Sequence, residues 1–236
     1  MNTSPELSVV MPIYNGEATI AAVLDTWISE LDRLQIDYEF LLYDDGSNDR
    51  SGELAAVVAA GAPHLHVRRH ANRGHGATIL RGYKEARGEW LLQIDSDGEM
   101  GPEGFEKLWA LRVDYDFLVG SRYDRESPVA RRVVTAGSRC AVRLLFGKGV
   151  QDVNSPYRLM RASRFRPLYA MLRDQTFAPN VILSGLAART GLRTYEAPVP
   201  HITRETVTRA LNRWKLWKTA FRCFRETVGV ALSAGR

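Results

Sequence analysis

The chain has 236 residues, 45% of them apolar, with two cysteines and a formal net charge of +5. This suits one sizeable globular domain, or one domain with an appendage, and excludes a repeat or low-complexity architecture. Cys140 and Cys223 stand far apart without metal-like spacing, which excludes a disulfide scaffold and leaves free thiols as the expectation.

Leu7–Ile13 (LSVVMPI) is apolar and β-branched, the pattern of a buried strand. Glu17–Leu34 carries Ile20, Val23, Leu24, Trp27, Ile28 and Leu31 at helical spacing. Tyr38–Tyr43 predicts a second strand, closed by Asp44-Asp45-Gly46-Ser47. A helix is expected over Ser51–Ala60, a short strand over Leu65–Arg69, a helix over Gly76–Ala86 and a strand over Glu89–Ile94. Pro102–Leu111 reads as a helix with Pro near its first turn, and Phe117–Val119 as a short strand. Beyond Gly120 the pattern loosens: helices over Arg131–Phe146 and Asn180–Arg189, a strand over Leu192–Glu196, and a long amphipathic helix over Thr206–Val228. Strands alternating with helices predict an α/β, Rossmann-like, mostly parallel central sheet flanked by helices. Ligands of such sheets sit at the carboxyl ends of the strands. Three strands end there in polar clusters: Pro12–Asn15, Asp44–Ser47 and Asp95–Glu99.

The last cluster, in LLQIDSDGEM, is the most telling. Alternate residues of an extended segment point the same way, so Asp95 and Asp97 can face one ligand, and Glu99 can join after the turn at Gly98. Crowded carboxylates raise one another's pKa. A Mg²⁺ or Mn²⁺ ion with substrate phosphates removes that penalty; a solvated acidic turn is the alternative. Asp44–Ser47 reads either as a turn with a helix cap or as a polar clamp for a base or ribose. In Asn72-Arg73-Gly74-His75-Gly76-Ala77 the glycines allow close backbone approach, and the following helix N-terminus favours an anion. His64, His66 and His70 read as surface histidines, and His201 as a candidate diphosphate contact.

Taken in order, VVMPIYNGEATI, DDGSND, NRGHGATILRGYKEARGEWLLQIDSDGE, VGSRY and DVNSPYRLMR resemble a family 2 glycosyltransferase of the GT-A fold, in the dolichol- and polyprenyl-phosphate mannose synthase-like branch. The resemblance covers roughly Leu7 to Arg204. It implies a catalytic domain over 1–203, with a nucleotide-sugar and metal half (1–100) and an acceptor half (101–203), followed by a basic helical segment (204–236). Pro12, Tyr14, Glu17, Asp44 and Asp45 are then expected on the nucleotide, with Arg73, Gly74 and Gly76 beside the base. Asp95 and Asp97, the DxD pair, are expected on metal and diphosphate, with Glu99 where relatives often carry Gln. Arg122 falls in the family's GSRY motif, near the acceptor or donor phosphate. Arg131, Asp152 and Arg158 match acceptor-half positions, with Pro156 where relatives usually have Gly. Arg204 matches the Arg of an R-x-x-G-x-S motif whose Gly and Ser are here Val207 and Arg209.

The implied activity is inverting transfer of a sugar from a UDP- or GDP-linked donor, dependent on Mg²⁺ or Mn²⁺. Met171–Asn180 offers only Asp174 where a general base for a hydroxyl acceptor is sought. A phosphate acceptor needs no base, only cations such as Arg122, Arg131 and Arg158. This favours a polyprenyl (lipid) phosphate acceptor. The alternatives are a soluble hydroxyl acceptor, with Asp152 or Asp174 as base, and a non-catalytic nucleotide-sugar binding protein.

His201–Arg236 holds eight Lys/Arg and two Asp/Glu, whereas the first 200 residues hold 24 and 25. Leu211, Trp214, Trp217, Phe221, Phe224 and Val228 recur there at helical spacing among basic residues. Such a helix can lie on an anionic membrane, pack on the catalytic domain, or join two subunits in a homodimer. Nucleic acid is not expected, because no recognition motif accompanies the charge. The first residues lack a signal-peptide pattern, and no apolar run approaches the roughly 20 residues of a membrane helix. The expected location is cytoplasmic, peripheral on the membrane face if the helix binds lipid.

Overall fold

The run Leu7–Ile13 forms strand β1, buried at every residue. The computed structural model describes residues 4–122, 129–202 and 213–233, except for the side chains of 129–136, 213–217 and 219. Helix α1 (Ile20–Arg33) follows, then β2 (Tyr38–Asp44), α2 (Ser51–Ala60), β3 (Leu65–Arg69), α3 (His75–Glu85), β4 (Trp90–Gln93) and α4 (Phe105–Leu111). The second half gives β5 (Phe117–Arg122), α5 (Val129–Phe146), β6 (Arg158–Arg161), α6 (Ala162–Ala170), α7 (Pro179–Arg189), β7 (Thr194–Val199) and α8 (Arg213–Ser233).

The strands form one sheet in the order β3-β2-β1-β4-β6-β5-β7, running through both halves of the chain. Four pairings are parallel. Only β6 runs antiparallel to its neighbours, β4 and β5. The period of two along each strand divides the core between the two faces. Val9, Met11, Phe40, Leu42, Leu92 and Leu118 pack on one side with Trp27 and Phe105. Val10, Leu41, Tyr43, Leu91, Phe117 and Met160 pack on the other with Tyr83, Phe165 and Ile182. Fully burying one such side chain contributes about 1.5–3 kcal/mol. From β1 the chain builds outward through β2 and β3, then returns to place β4 on β1's other side. The β1–β4 boundary is therefore the switch point where open α/β sheets bind ligands.

Several boundaries differ from the sequence reading for local reasons. Helix α1 starts at Ile20, not Glu17, because the Thr19 and Ile20 N–H groups both turn back to the Gly16 carbonyl. Helix α4 starts at Phe105, after Gly104 takes a left-handed conformation with φ of 87°. β7 lies further along than Leu192–Glu196. Gly191 (φ 67°) closes α7, and Leu192 N–H still bonds back to Ala187. Pro198 is tolerated because β7 is an edge strand paired only with β5. Strand β6 and helix α6, which contains Pro167, were not anticipated. The first residues of the expected Thr206–Val228 helix lie outside the described residues, and α8 continues to Ser233.

Gly76 shows why the turn before α3 needs glycine. A Cβ there would sit 2.1 Å from the Phe177 carbonyl oxygen. Backbone cannot yield cheaply, so Gly76→Ala is expected to lower stability by about 1–3 kcal/mol. Urea unfolding measures this; an unchanged midpoint would contradict the close approach.

Candidate active site

Two loops are laced together at the carboxyl end of β1 and β2. Asn15 N–H donates to Ser47 Oγ at 3.1 Å, Gly16 N–H to Ser51 Oγ at 2.7 Å and Glu17 N–H to Asp49 Oδ2 at 3.1 Å. In return Asn48 N–H donates to Asn15 Oδ1 and Arg50 N–H to Glu17 Oε2, both at 2.9 Å. Pro12 is buried within β1, while Tyr14 stands 51% exposed at the rim.

Asp44 and Asp45, expected to clamp base or ribose, are tied into the loops that carry them, and Asp44 Oδ2 keeps no hydrogen-bond partner among the described residues. Asp44 is fully buried, accepts the Ser47 N–H at 2.8 Å and lies 3.3 Å from Arg69 Nε. Asp45 accepts the N–H groups of Arg73 at 2.7 Å and Gly74 at 3.0 Å, one on each oxygen. It thereby joins the DDGS turn to the Arg-Gly-His-Gly turn, in which Gly74 takes φ of 91° and the Arg73 side chain stays exposed. The two aspartates shape the loops around a ligand.

The acidic loop begins where β4 ends. Asp95 has 27% of its side chain exposed, with Gln93 Nε2 at 3.3 Å and His75 Nε2 at 3.8 Å from its Oδ1. Gln93 is fixed from behind: Asn180 Nδ2 donates to its Oε1 at 2.8 Å, and the Tyr83 hydroxyl also bonds that oxygen. Desolvation pushes the Asp95 pKa above the ordinary range, and the Asp97 charge adds to this. The His75 charge and the Gln93 hydrogen bond oppose it. Thr19 Oγ1 ties α1 to the loop through the Ser96 carbonyl at 2.8 Å. After Gly98 (φ 70°) the chain turns, and Glu99 N–H donates to Asp97 Oδ1 at 2.9 Å.

A half-desolvated carboxylate beside an exposed one is a donor set that a hard dication fits. Glu99 is drawn aside from the pair. His201 Nε2, on a buried ring, stands 3.1 Å from its Oε2, and Ile202 N–H donates to its carbonyl at 2.8 Å. Among the described residues no group of three or more His, Cys, Asp or Glu side chains gathers closely enough to hold an ion. Glu99, expected as a third ligand, is here paired with His201. Mg²⁺ typically takes one or two carboxylates and completes its shell with substrate phosphates.

Asp95, Asp97 and Glu99 line a cleft with Ile94, Met100, Arg122, Pro156 and Tyr157, enclosing about 390 Å³ including its mouth. Arg122 is its cation among the described residues, held in a fork by Asp152: Nε to Oδ2 at 3.0 Å and Nη2 to Oδ1 at 3.1 Å. Burial alone would raise the Asp152 pKa, but the hydrogen bonds and charge of Arg122 outweigh it and hold the carboxyl below its usual range. Asp152, named above as a base for a hydroxyl acceptor, is placed here as the counter-ion of Arg122. Glu196 on β7 fixes the turn that carries it, accepting the N–H groups of Gln151 at 2.6 Å and Asp152 at 2.9 Å. Asp174, the other base candidate, is exposed on Lys84 Nζ at 2.6 Å and does not line the cleft.

Arg158 is also corrected. It is fully buried, and its guanidinium donates to the carbonyls of Ser155 at 2.7 Å, Asn180 at 3.2 Å and Val153 at 3.3 Å. Four of its five N–H groups are engaged in this way, and the buried side chain presents no surface to an acceptor phosphate; it holds the 152–155 loop against α7. Arg204 and the Arg131 side chain lie outside the described residues. Glu196, Gln93, Tyr83 and Asn180 were not singled out from sequence, because their partners are distant along the chain and they form no local motif.

An α/β sheet with an acidic loop at its switch point, laced to glycine-rich turns, defines a protein of the GT-A class. The model of glycosyl transferase family 2 matches residues 8–168; the chain belongs to this family. Among curated relatives it is 31% identical over 202 residues to the undecaprenyl-phosphate 4-deoxy-4-formamido-L-arabinose transferase of Edwardsiella ictaluri, covering 84% of this chain and 61% of that protein. It is 34% identical over 210 residues to the enzyme of that name from Aeromonas hydrophila, covering 86% of this chain and 62% of the other. The chain thus spans about three-fifths of the length of these relatives. A solved structure with the same fold is glucosyl-3-phosphoglycerate synthase from Mycobacterium tuberculosis in complex with Mn²⁺, uridine-diphosphate-glucose and phosphoglyceric acid. It has a TM-score of 0.66 and 19% identity, covering 96% of this chain and 80% of that one.

Proposed function

We propose that the chain is an inverting glycosyltransferase that moves a sugar from a UDP- or GDP-linked donor to a polyprenyl phosphate. The observation that carries this reading is the makeup of the cleft. It is lined by the carboxylates of Asp95, Asp97 and Glu99 and by Arg122, and the carboxylate nearest that arginine, Asp152, is engaged by it through two hydrogen bonds. A hydroxyl nucleophile needs a base; a phosphate oxygen is already anionic and needs only a cation to seat it. The names of the curated relatives, which specify undecaprenyl phosphate, support the same acceptor.

Asp95 and Asp97 would hold Mg²⁺ or Mn²⁺ on the donor's diphosphate, as the manganese complex of the M. tuberculosis enzyme supports. Bound there, the ion supplies electrostatic stabilisation of the leaving nucleoside diphosphate. The DDGS and Arg-Gly-His-Gly turns frame the nucleoside. Arg122 donates its remaining N–H groups to phosphate oxygen and orients the acceptor. The acceptor oxygen attacks the anomeric carbon from the face opposite the departing diphosphate. The C–O bond electrons leave with that diphosphate, and no proton need be moved at the attacking atom.

No described helix is long and apolar enough to cross a membrane. A polyprenyl-phosphate acceptor places the reaction at a membrane surface. The test is release of nucleoside diphosphate from a panel of UDP- and GDP-sugars with Mn²⁺, comparing polyprenyl phosphate with hydroxyl acceptors. Release only with the phosphate acceptor is expected. Transfer to a saccharide hydroxyl instead would overturn the acceptor assignment. Nucleotide binding by calorimetry without any turnover would leave a binding protein.

A further inference from the structure

Helix α8 has two apolar sides, and the described fold covers one of them. Cys223, Thr227, Val230 and Ala231 turn inward where α8 packs on α5 and α7, and Arg189 of α7 donates to the Ala231 carbonyl at 2.6 Å. At 3.6 residues per turn, Phe221, Phe224, Val228 and Leu232 fall together on another side, a stripe about 16 Å long. Phe221 is 62% exposed, Phe224 50% and Leu232 69%. Along its edge stand Lys218, Arg222 and Arg225, all exposed. Glu226, the helix's acid, turns away from this side: it accepts the Phe177 N–H at 2.7 Å and lies 3.3 Å from Arg222.

The stripe is also near the cleft's end of the sheet. Arg222 lies over the Phe177 ring at 5.0 Å. The Phe177 carbonyl packs on Gly76 at the start of α3, next to His75, which faces Asp95.

We propose that this face of α8 docks on an anionic bilayer, with Phe221, Phe224 and Leu232 entering the acyl boundary and Lys218, Arg222 and Arg225 meeting lipid phosphates. An apolar stripe bordered by cations matches the layering of such a surface, apolar below and anionic at headgroup level. A second copy fits less well, because a two-fold contact across the stripe would bring the two basic edges toward each other. The proposal deepens the lipid-phosphate reading and rests on it: docking here brings the cleft to the membrane that holds the acceptor.

The test is sedimentation of the 236-residue chain with phosphatidylcholine vesicles and with vesicles containing phosphatidylglycerol, with calorimetric titration of UDP and GDP on the same samples. The wild type is expected to bind the anionic vesicles, less so as salt rises. Phe221→Ser with Phe224→Ser is expected to cut partitioning about tenfold or more, and Lys218→Glu with Arg225→Glu to remove the preference for phosphatidylglycerol. Nucleotide binding should be the same in all variants. Equal sedimentation of the Ser variant and wild type overturns the proposal. So does a dimer, seen by light scattering, that the Ser variant breaks while vesicles stay unbound. Vesicle binding that the Ser variant loses, without nucleotide binding in any sample, upholds the surface and sinks the transferase reading.

Discussion

Asp97→Asn is expected to lower metal-dependent release of nucleoside diphosphate about a thousandfold and to leave the unfolding midpoint where it was. The side chain is exposed, and within the loop its Oδ1 accepts the Glu99 N–H at 2.9 Å. Asparagine keeps that oxygen, so the turn after Gly98 survives and only the negative charge is lost. That charge is one of two that would balance a dication on the donor's diphosphate. Asp95, its neighbour, already supplies the other of those two charges, so it cannot replace the missing one. A thousandfold corresponds to about 4 kcal/mol of stabilisation lost from the departing diphosphate, in the range of a single electrostatic contact at a reaction centre. Turnover across a manganese titration gives the kinetic effect, and urea unfolding the structural one. Surface changes of this kind move stability by no more than about 0.5 kcal/mol. Unchanged turnover would reject the metal role of the DxD pair.

What could be read from sequence was what is written locally. The first four strands, the helices between them and the glycines before α3 carry their own periodicity and breakers, and the structure places them within a few residues of expectation. Asp95 and Asp97 were legible because alternate residues at a strand end must share a side. Long-range pairing was not legible. Asp45 spends its oxygens on N–H groups 28 and 29 residues away, and Glu99 meets His201 across 102 residues. Arg158 misled most: an arginine beginning a four-residue strand reads as an exposed cation, yet three backbone carbonyls take it fully into the core. The same arginine hides β6, whose flanking charges, Arg158 and Arg161, break the apolar run that would have marked it.

Asp152→Asn separates the two acceptor readings by the kind of loss it produces. If Asp152 were the base for a hydroxyl, removing it would cost general-base catalysis, typically 10²–10⁴-fold, and erase an ionisation from the pH–rate profile. The geometry gives it another task, that of aiming Arg122 into the cleft from a turn fixed by Glu196. The expected result is a loss of about ten- to a hundredfold in kcat/KM, carried mainly by the KM for polyprenyl phosphate, with the profile's shape retained. Stability should fall as well, because a largely buried ion pair loses one partner; such losses run to about 3–5 kcal/mol when the remaining charge is fully buried, and Arg122 keeps some solvent contact. The sign with pH is set by the depressed carboxyl pKa. The contribution of Asp152 is present above the unfolded aspartate value near 3.9 and is lost as pH falls below it toward the folded value. The stability gap between wild type and Asp152→Asn should therefore narrow in acid, as denaturant unfolding between neutral and acid pH would show. A kcat collapse with a lost ionisation and an unchanged KM would restore Asp152 as a base and point to a hydroxyl acceptor.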